Sequence, residues 1–149
     1  MSCAQTKGKA RMASIKRIAR DFFDACEKGK GWQVCSAYCA PDATFSSQAE
    51  PLAEMGTLEE YANWMRDLFN PLPNATYDLK AFAVDDERES VTGFAVFSAT
   101  HTGEGGPVPA TGKTAHADYV YVMDFEGDRI KHMTKIWNSG RTSRELGWA

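Results

Sequence analysis

Apolar residues recur at helical spacing in the first half of the chain and at every second position in the second half. Residues 14–28 predict a helix, because their apolar side chains stand three or four positions apart. Ser14 is a suitable residue to cap its start and Gly29 to end it. The apolar face consists of Ile15, Ile18, Ala19, Phe22, Phe23 and Cys26.

The next segments predict two more helices on either side of a short strand. A short helix is predicted at 32–39, and a turn at Pro41-Asp42 leads into a strand at 43–47. The sequence TLEE then places Thr57 three positions before Glu60, which is the pattern of a capping box. A third helix is therefore expected to begin at Thr57.

Alternating positions after residue 74 predict four strands in succession. The strands are expected at 75–84, 90–102, 113–125 and 129–138. A glycine-rich loop at 103–112 separates the middle two, Gly127-Asp128 forms the last hairpin turn, and a short helix at 141–147 follows. Helices followed by a meander of strands predict an α+β fold, in which a curved antiparallel sheet carries about three helices on its concave face. Such a cone encloses a pocket at its open end, and the glycine-rich loop is expected to border the mouth of that pocket.

Three segments carry a resemblance to a known family. HTGEGGPVPATGK at 101–113 is similar to the segment between two strands of SnoaL-like proteins. YVMDFEGDRIKHMTKIW at 121–137 resembles the closing hairpin of SnoaL-like proteins and ketosteroid isomerases, and PDATF at 41–45 resembles their entry into the first strand. The chain thus resembles the NTF2-like superfamily, with one SnoaL-like domain at 14–149 and a flexible tail at 1–13. The resemblance implies a homodimer and a pocket for a small apolar or aromatic organic ligand.

The same resemblance implies two alternative functions. One is a cofactor-free isomerase, cyclase or dehydratase that uses acid–base catalysis on a carbonyl compound; the other is a ligand-binding or assembly module without catalysis. Ketosteroid isomerases carry a catalytic aspartate at the end of the PDATF strand, where this chain has Ser46 and Ser47. A serine cannot act unaided as a base at neutral pH, so the search for an ionisable group moves to the later strands.

Strand 116–125 holds the candidate catalytic residues, and its register decides between them. A two-residue turn at Gly127-Asp128 places Asp118 and His116 on the face of Lys135, whereas a bulged three-residue turn places Tyr119 and Tyr121 there. Asp118 is either the general acid or base or part of a structural ion pair. His116 and Tyr121 are candidate hydrogen-bond donors to the reacting carbonyl.

Other residues are candidates for ligand contacts. Lys135 either balances a negative charge in the pocket or is a lysine whose stem packs on the sheet surface. The remaining candidates form either the pocket wall or ordinary core: Trp137, Met133, Trp64, Phe23 and Tyr38.

Composition removes several other classes of function. The net charge of −3 argues against a nucleic-acid partner, and no run of 18 apolar residues that would cross a membrane occurs. The spacing of the four cysteines matches neither a zinc site nor paired CxxC motifs, which favours free thiols in a reducing cytoplasm. A zinc site would need the three histidines to face one way together with a fourth ligand or a water, so we expect no metal site. The resemblance implies that no cofactor is needed.

Overall fold

The first helix is longer than the sequence pattern predicts. The structure, a computed structural model, describes residues 3–149, with side chains from residue 8 onward. Helix α1 runs from Cys3 to Glu27, so the predicted start at Ser14 is wrong and most of the predicted tail is helical. The flexibility of residues 1–13 stays a prediction. Gly29 ends the helix as predicted, since its φ of 70° is the left-handed conformation that follows many helix ends.

After α1, the second helix is shorter than predicted and the first strand begins earlier in the chain. Helix α2 covers only Trp32–Cys35, a 3-10 turn covers Ser36–Tyr38, and strand β1 runs from Cys39 to Ser47. The predicted turn at Pro41-Asp42 is therefore wrong. Both residues lie within β1, where the pairing slips between Cys39 and Thr44. A proline that cannot donate a hydrogen bond is tolerated in a strand at such an irregularity.

Helix α3 confirms the capping box. It spans Leu58–Leu68, and the backbone N–H of Glu60 donates to the Thr57 hydroxyl over 3.2 Å. The Thr57 hydroxyl in turn donates to the Glu60 carboxylate over 2.9 Å. Leu58, Tyr61, Ala62 and Met65 form the buried face of α3, which packs over the sheet.

The sheet has five strands in the order β1-β5-β4-β3-β2. Its later strands are β2 (Thr76–Asp85), β3 (Ser90–Thr100), β4 (Thr114–Glu126) and β5 (Arg129–Trp137), and helix α4 (Ser139–Leu146) follows. Strands β2 to β5 form the predicted antiparallel meander, whereas β1 pairs in parallel with β5. The α+β fold is confirmed, with a curved sheet of mixed rather than purely antiparallel pairing.

The β4–β5 hairpin combines a tight turn with a bulge. Gly127 has a φ of 63° in the turn, and Glu126 pairs with Arg129. The pairing then shifts by one residue next to Asp124, so that Tyr121 stands opposite Lys135. The turn is therefore the two-residue one, but the face predicted from it is wrong. A bulge beyond the turn, rather than a three-residue turn, places Tyr119 and Tyr121 on the inner face. This single shift decides which side chains face the helices.

The core lies between the inner face of the sheet and helices α1 and α3. Phe22 and Phe23 of α1 are fully buried, and the ring of Phe23 lies 4.7 Å from that of Tyr121 and 6.2 Å from that of Phe82. Burial of each such side chain contributes about 1.5–3 kcal/mol to folding. None of the helices at residues 3–149 combines the length and the apolar character needed to cross a membrane.

Candidate functional site

A cavity of about 440 Å³ lies between the sheet and the helices. Its wall comes from the end of α1, from α3, from β4 and β5, and from α4 and the chain end at Trp148. Gly105, Gly106 and Pro107 complete the wall, so the glycine-rich loop borders the cavity as the sequence predicted. The volume is in the range of ordinary small-molecule sites.

Polar side chains form a buried cluster beside this cavity. The buried polar cluster consists of Glu27, Tyr61, Tyr119, Tyr121 and Lys135, all at least nine-tenths buried. Glu27, Tyr119 and Lys135 also line the cavity. Ionisable groups in an otherwise apolar pocket are typical of a functional site, because burial without a function is costly.

Glu27 is the only carboxylate of the cluster. Its side chain is 2% exposed, and neither carboxylate oxygen has a hydrogen-bond partner that meets the usual geometry within residues 8–149. Burial raises the pKa of Glu27, while the charge of Lys135 and the nearby hydroxyls of Tyr121 and Tyr119 lower it to a smaller extent. A carboxyl group with a raised pKa holds and releases protons closer to neutral pH than an exposed glutamate does.

Lys135 projects from β5 into a group of aromatic rings. Its Nζ lies 4.6 Å from the ring centre of Trp137, 5.0 Å from that of Tyr61, 5.3 Å from that of Tyr119 and 5.6 Å from that of Trp64. Burial lowers the pKa of Lys135 to about 8, although the charge of Glu27 acts in the opposite direction. The cation–π contacts favour the charged form of Lys135, whereas its burial away from water disfavours that form.

The tyrosine hydroxyls connect the cluster. Lys135 Nζ donates to the Tyr61 hydroxyl over 2.9 Å, and the hydroxyls of Tyr61 and Tyr121 share a short hydrogen bond. The Tyr119 hydroxyl is buried and has no partner in the described part of the chain. Burial raises the pKa of all three tyrosines, so each keeps its proton and can donate it in a hydrogen bond.

Two tryptophans give the cavity its apolar surface. The rings of Trp64 and Trp137 lie 6.2 Å apart, and both border the cavity. The indole N–H of Trp137 donates to Thr142 in α4 over 2.9 Å, which fixes the ring in place. The site is therefore a preformed apolar cavity with a few fixed polar groups.

Asp118 and His116 do not belong to this site. Both are exposed on the outer face of β4, because the bulge places Tyr119 and Tyr121, rather than these two residues, on the inner face. His116 Nδ1 lies 2.9 Å from the hydroxyl of Ser98 on the neighbouring strand. Their predicted placement beside Lys135 is wrong, and the geometry gives Asp118 no role at the cavity.

The other predicted residues divide into two groups. Lys135, Trp137 and Trp64 line the cavity. Tyr121 lies beside it within the buried polar cluster, linked to Lys135 through Tyr61.

Phe23, Met133 and Tyr38 do not line the cavity. The first two are fully buried core residues, and Tyr38 packs partly buried against the core from its 3-10 turn. The position of these three side chains thus fits ordinary core, the second of the two interpretations that the sequence allowed.

The serines and histidines occupy separate places. The Ser47 hydroxyl donates to the backbone carbonyl of Lys135 over 2.8 Å, and Ser46 lies 3.1 Å from His132 on the outer face. His101 is buried elsewhere, where its Nδ1 accepts a hydrogen bond from the indole of Trp148 over 2.9 Å. Across residues 8–149, no three side chains of His, Cys, Asp or Glu come together in a group that could hold a metal ion.

Sequence reasoning missed Glu27, although a signal for it exists. Ala19, Phe23 and Glu27 follow one another at intervals of four residues, so Glu27 belongs to the same buried face of α1. A charged residue on the apolar face of a helix is costly unless it is paired or functional. The signal is easily overlooked, because the charged residues Lys28 and Lys30 follow Glu27 at the end of the helix.

The fold and the cavity together define a class of protein: an α+β cone with a mostly apolar pocket, lined in part by a buried acid, a buried lysine and a tyrosine. The model of the SnoaL-like domain matches residues 19–133, which is most of the chain. The chain therefore belongs to the SnoaL-like domain family. None of the curated proteins matches its sequence.

Solved structures show the same fold at low sequence identity. AclR from Streptomyces galilaeus, a proposed hydroxylase, is 17% identical with a TM-score of 0.75, over 93% of this chain and 87% of that one. A proposed polyketide cyclase from Acidithiobacillus ferrooxidans is 20% identical with a TM-score of 0.73, over 91% and 96% of the two chains. A protein of ketosteroid isomerase-like fold from Catenulispora acidiphila, solved with trimethylamine, is 14% identical with a TM-score of 0.66, over 89% and 93%. These likenesses establish the NTF2-like fold. They do not define a reaction, which has to be argued from the residues of the site.

Proposed function

We propose that this protein catalyses a cofactor-free proton transfer on a small carbonyl compound held in the cavity, with Glu27 as the general base and acid. The observation that carries the proposal is Glu27, a residue of the cavity lining that is 2% exposed and whose carboxylate oxygens are buried without a hydrogen-bond partner within residues 8–149. Burial increases the basicity of this carboxylate, and no hydrogen bond of the usual geometry within residues 8–149 has to break before it reacts.

The proposed chemistry begins at a carbon next to the carbonyl group. Glu27 removes a proton from this carbon, and the carbonyl oxygen gains negative charge. Tyr119 lines the cavity, and its buried hydroxyl, which has no partner within residues 8–149, is the candidate donor to that oxygen. Glu27 then returns the proton to another carbon in an isomerisation, or to a leaving hydroxyl group in a dehydration.

The cavity wall supports an apolar or aromatic substrate. Trp64 and Trp137 offer flat surfaces for a ring, and Leu68, Leu72 and Phe97 extend the apolar wall. The family membership and the solved neighbours named as proposed polyketide cyclases support the same general class of substrate.

The test is hydrogen exchange in heavy water, followed by proton NMR on a graded series of cyclic ketones and 1,3-diketones. The wild type is expected to exchange the acidic carbon-bound protons of at least one compound above the uncatalysed rate. Glu27→Gln should lose about 10²–10⁴-fold in rate. Glu59→Gln, an exposed glutamate on α3, serves as the matched control and should retain the wild-type rate.

Two results would contradict the proposal. If the Glu27→Gln variant exchanges the carbon-bound protons at the wild-type rate, Glu27 is not the base. Binding of a compound, seen as a rise in melting temperature, without exchange of any member of the series would favour the alternative of a non-catalytic binding module. The homodimer and the cytoplasmic location remain predictions, to be checked by sedimentation and by fractionation.

A further inference from the structure

We propose that Lys135 forms a Schiff base with the carbonyl group of its ligand, so that the substrates of this cavity are aldehydes and ketones that react through an enamine. This inference rests on the proposed function and deepens it, because it gives the carbonyl group a covalent partner. The amine nitrogen bonds to the carbonyl carbon, and the carbonyl oxygen leaves as water. No oxidant or reductant is needed.

The first argument is the position of the amine. Lys135 lines the cavity, and three of the rings around its Nζ, those of Trp64, Tyr119 and Trp137, line the cavity as well. The amine therefore stands at the cavity wall among the side chains that a ligand would touch, although the lysine as a whole is only 6% exposed. A lysine desolvated in an apolar pocket is the usual form of a nucleophilic amine.

The second argument is the number of hydrogen bonds. An ammonium group has three N–H donors, whereas Lys135 Nζ has one hydrogen-bond acceptor in the described part of the chain, the Tyr61 hydroxyl. Glu27 lines the same cavity but accepts no hydrogen bond from Nζ. The site thus satisfies a neutral amine better than an ammonium ion, and the lowered pKa of about 8 agrees with this.

The third argument is the acid that the reaction requires. Loss of water from the first addition product needs a proton on the departing oxygen, and the formation of an enamine then needs a base at the neighbouring carbon. Glu27 lines the same cavity, and its raised pKa suits both steps. Protonated Glu27 would supply the first proton and its carboxylate would take the second.

The experiment uses the full-length protein with pentane-2,4-dione and, separately, with a small aromatic aldehyde followed by borohydride. Mass spectrometry of the intact protein and of its peptides locates the adducts. We expect a single adduct, heavier by one probe molecule less one water before reduction, on Lys135. Its rate of formation should rise with pH through about 8, as the amine loses its proton. The rate of adduct formation on an exposed lysine should instead rise at a higher pH, near the ordinary lysine pKa of about 10.4.

Two variants complete the design. Lys135→Met removes the amine and keeps a linear side chain, and it should lose the adduct. Lys131→Met, an exposed lysine on the same strand, should keep it. Peptide mapping of the wild type gives the site directly, so the result does not depend on whether Lys135→Met folds.

The outcomes separate this inference from the proposed function. If protons exchange in the wild type but no adduct forms on Lys135, the Schiff base is refuted while Glu27 remains the base. Adducts only on exposed lysines would refute it in the same way. If neither exchange nor an adduct is found, both proposals fail.

Discussion

Replacing Tyr61 by phenylalanine removes one oxygen from the centre of the buried polar cluster. That oxygen accepts a hydrogen bond from Lys135 Nζ over 2.9 Å and shares a second one with the Tyr121 hydroxyl. The phenylalanine ring fills the same space, and its stacking on Phe45 at 4.5 Å is retained. The change therefore tests the two hydrogen bonds without opening a large cavity.

The expected cost follows from what loses its partner. Lys135 loses the one hydrogen bond that the structure gives to its Nζ, and Tyr121 loses the partner of its hydroxyl. A buried polar group left without a partner costs about 1–3 kcal/mol. We expect Tyr61→Phe to lower the free energy of unfolding by about 2 kcal/mol, since the two groups can in part relax. For a chain of this size this corresponds to a fall in melting temperature of about 4–8 °C.

Urea unfolding followed by tryptophan fluorescence measures this difference. Tyr38→Phe is the matched control, because Tyr38 is only partly buried in its 3-10 turn, and it should change stability by less than about 0.5 kcal/mol. If Tyr61→Phe is as stable as the wild type, the two hydrogen bonds contribute nothing and the cluster is not held together in the way described.

Two further predictions concern the acids. Burial raises the pKa of Glu27 above its ordinary 4.5, so the wild type should lose stability relative to Glu27→Gln as the pH rises from about 4.5 through the raised pKa. Urea midpoints of both proteins over a pH series measure this difference. Asp118→Asn should leave the proton-exchange rate unchanged, because Asp118 is exposed on the outer face of β4; the heavy-water assay with NMR measures it.

Two outcomes would contradict the predictions for Glu27 and Asp118. A constant stability difference between wild type and Glu27→Gln across the series would mean that Glu27 titrates in the folded protein as it does in the unfolded chain. A large fall in exchange rate for Asp118→Asn would return that residue to the reaction and contradict the placement of the cavity on the inner face.

The sequence predicted those parts of the fold that depend on local patterns. The capping box at Thr57 located α3, and strict alternation located β2 to β5 within one or two residues. Such patterns reflect contacts between near neighbours, or the burial of one face of an element, and both can be recognised in a single chain. The parallel pairing of β1 with β5 joins distant segments and has no local signal.

The site was predicted in part for the same reason. Lys135, Trp64 and Trp137 stood out as polar or large residues on predicted elements, and all three line the cavity. Asp118 is a candidate in the sequence because it is an acid in the middle of an apolar strand, and a two-residue turn alone would place it inward. The one-residue bulge next to Asp124 exchanges the two faces of β4. A shift of one position in pairing is a matter of tertiary packing, so no spacing within the strand reveals it.

The parallel pairing of β1 with β5 also determines when the pocket can form. Ser47 and Lys135 are partners in the sheet although they are 88 positions apart in the chain. Contacts between such distant segments slow folding, because a large loop must close before they are gained. Synthesis proceeds from the N-terminus, so Glu27 is made long before Lys135, and the acid and the amine can come together only after β5 has been made. A nascent chain that stops before β5 would leave the edges of β1 and β4 that pair with β5 without a partner strand. Unpaired strand edges are prone to aggregation, so formation of β5 protects both strands.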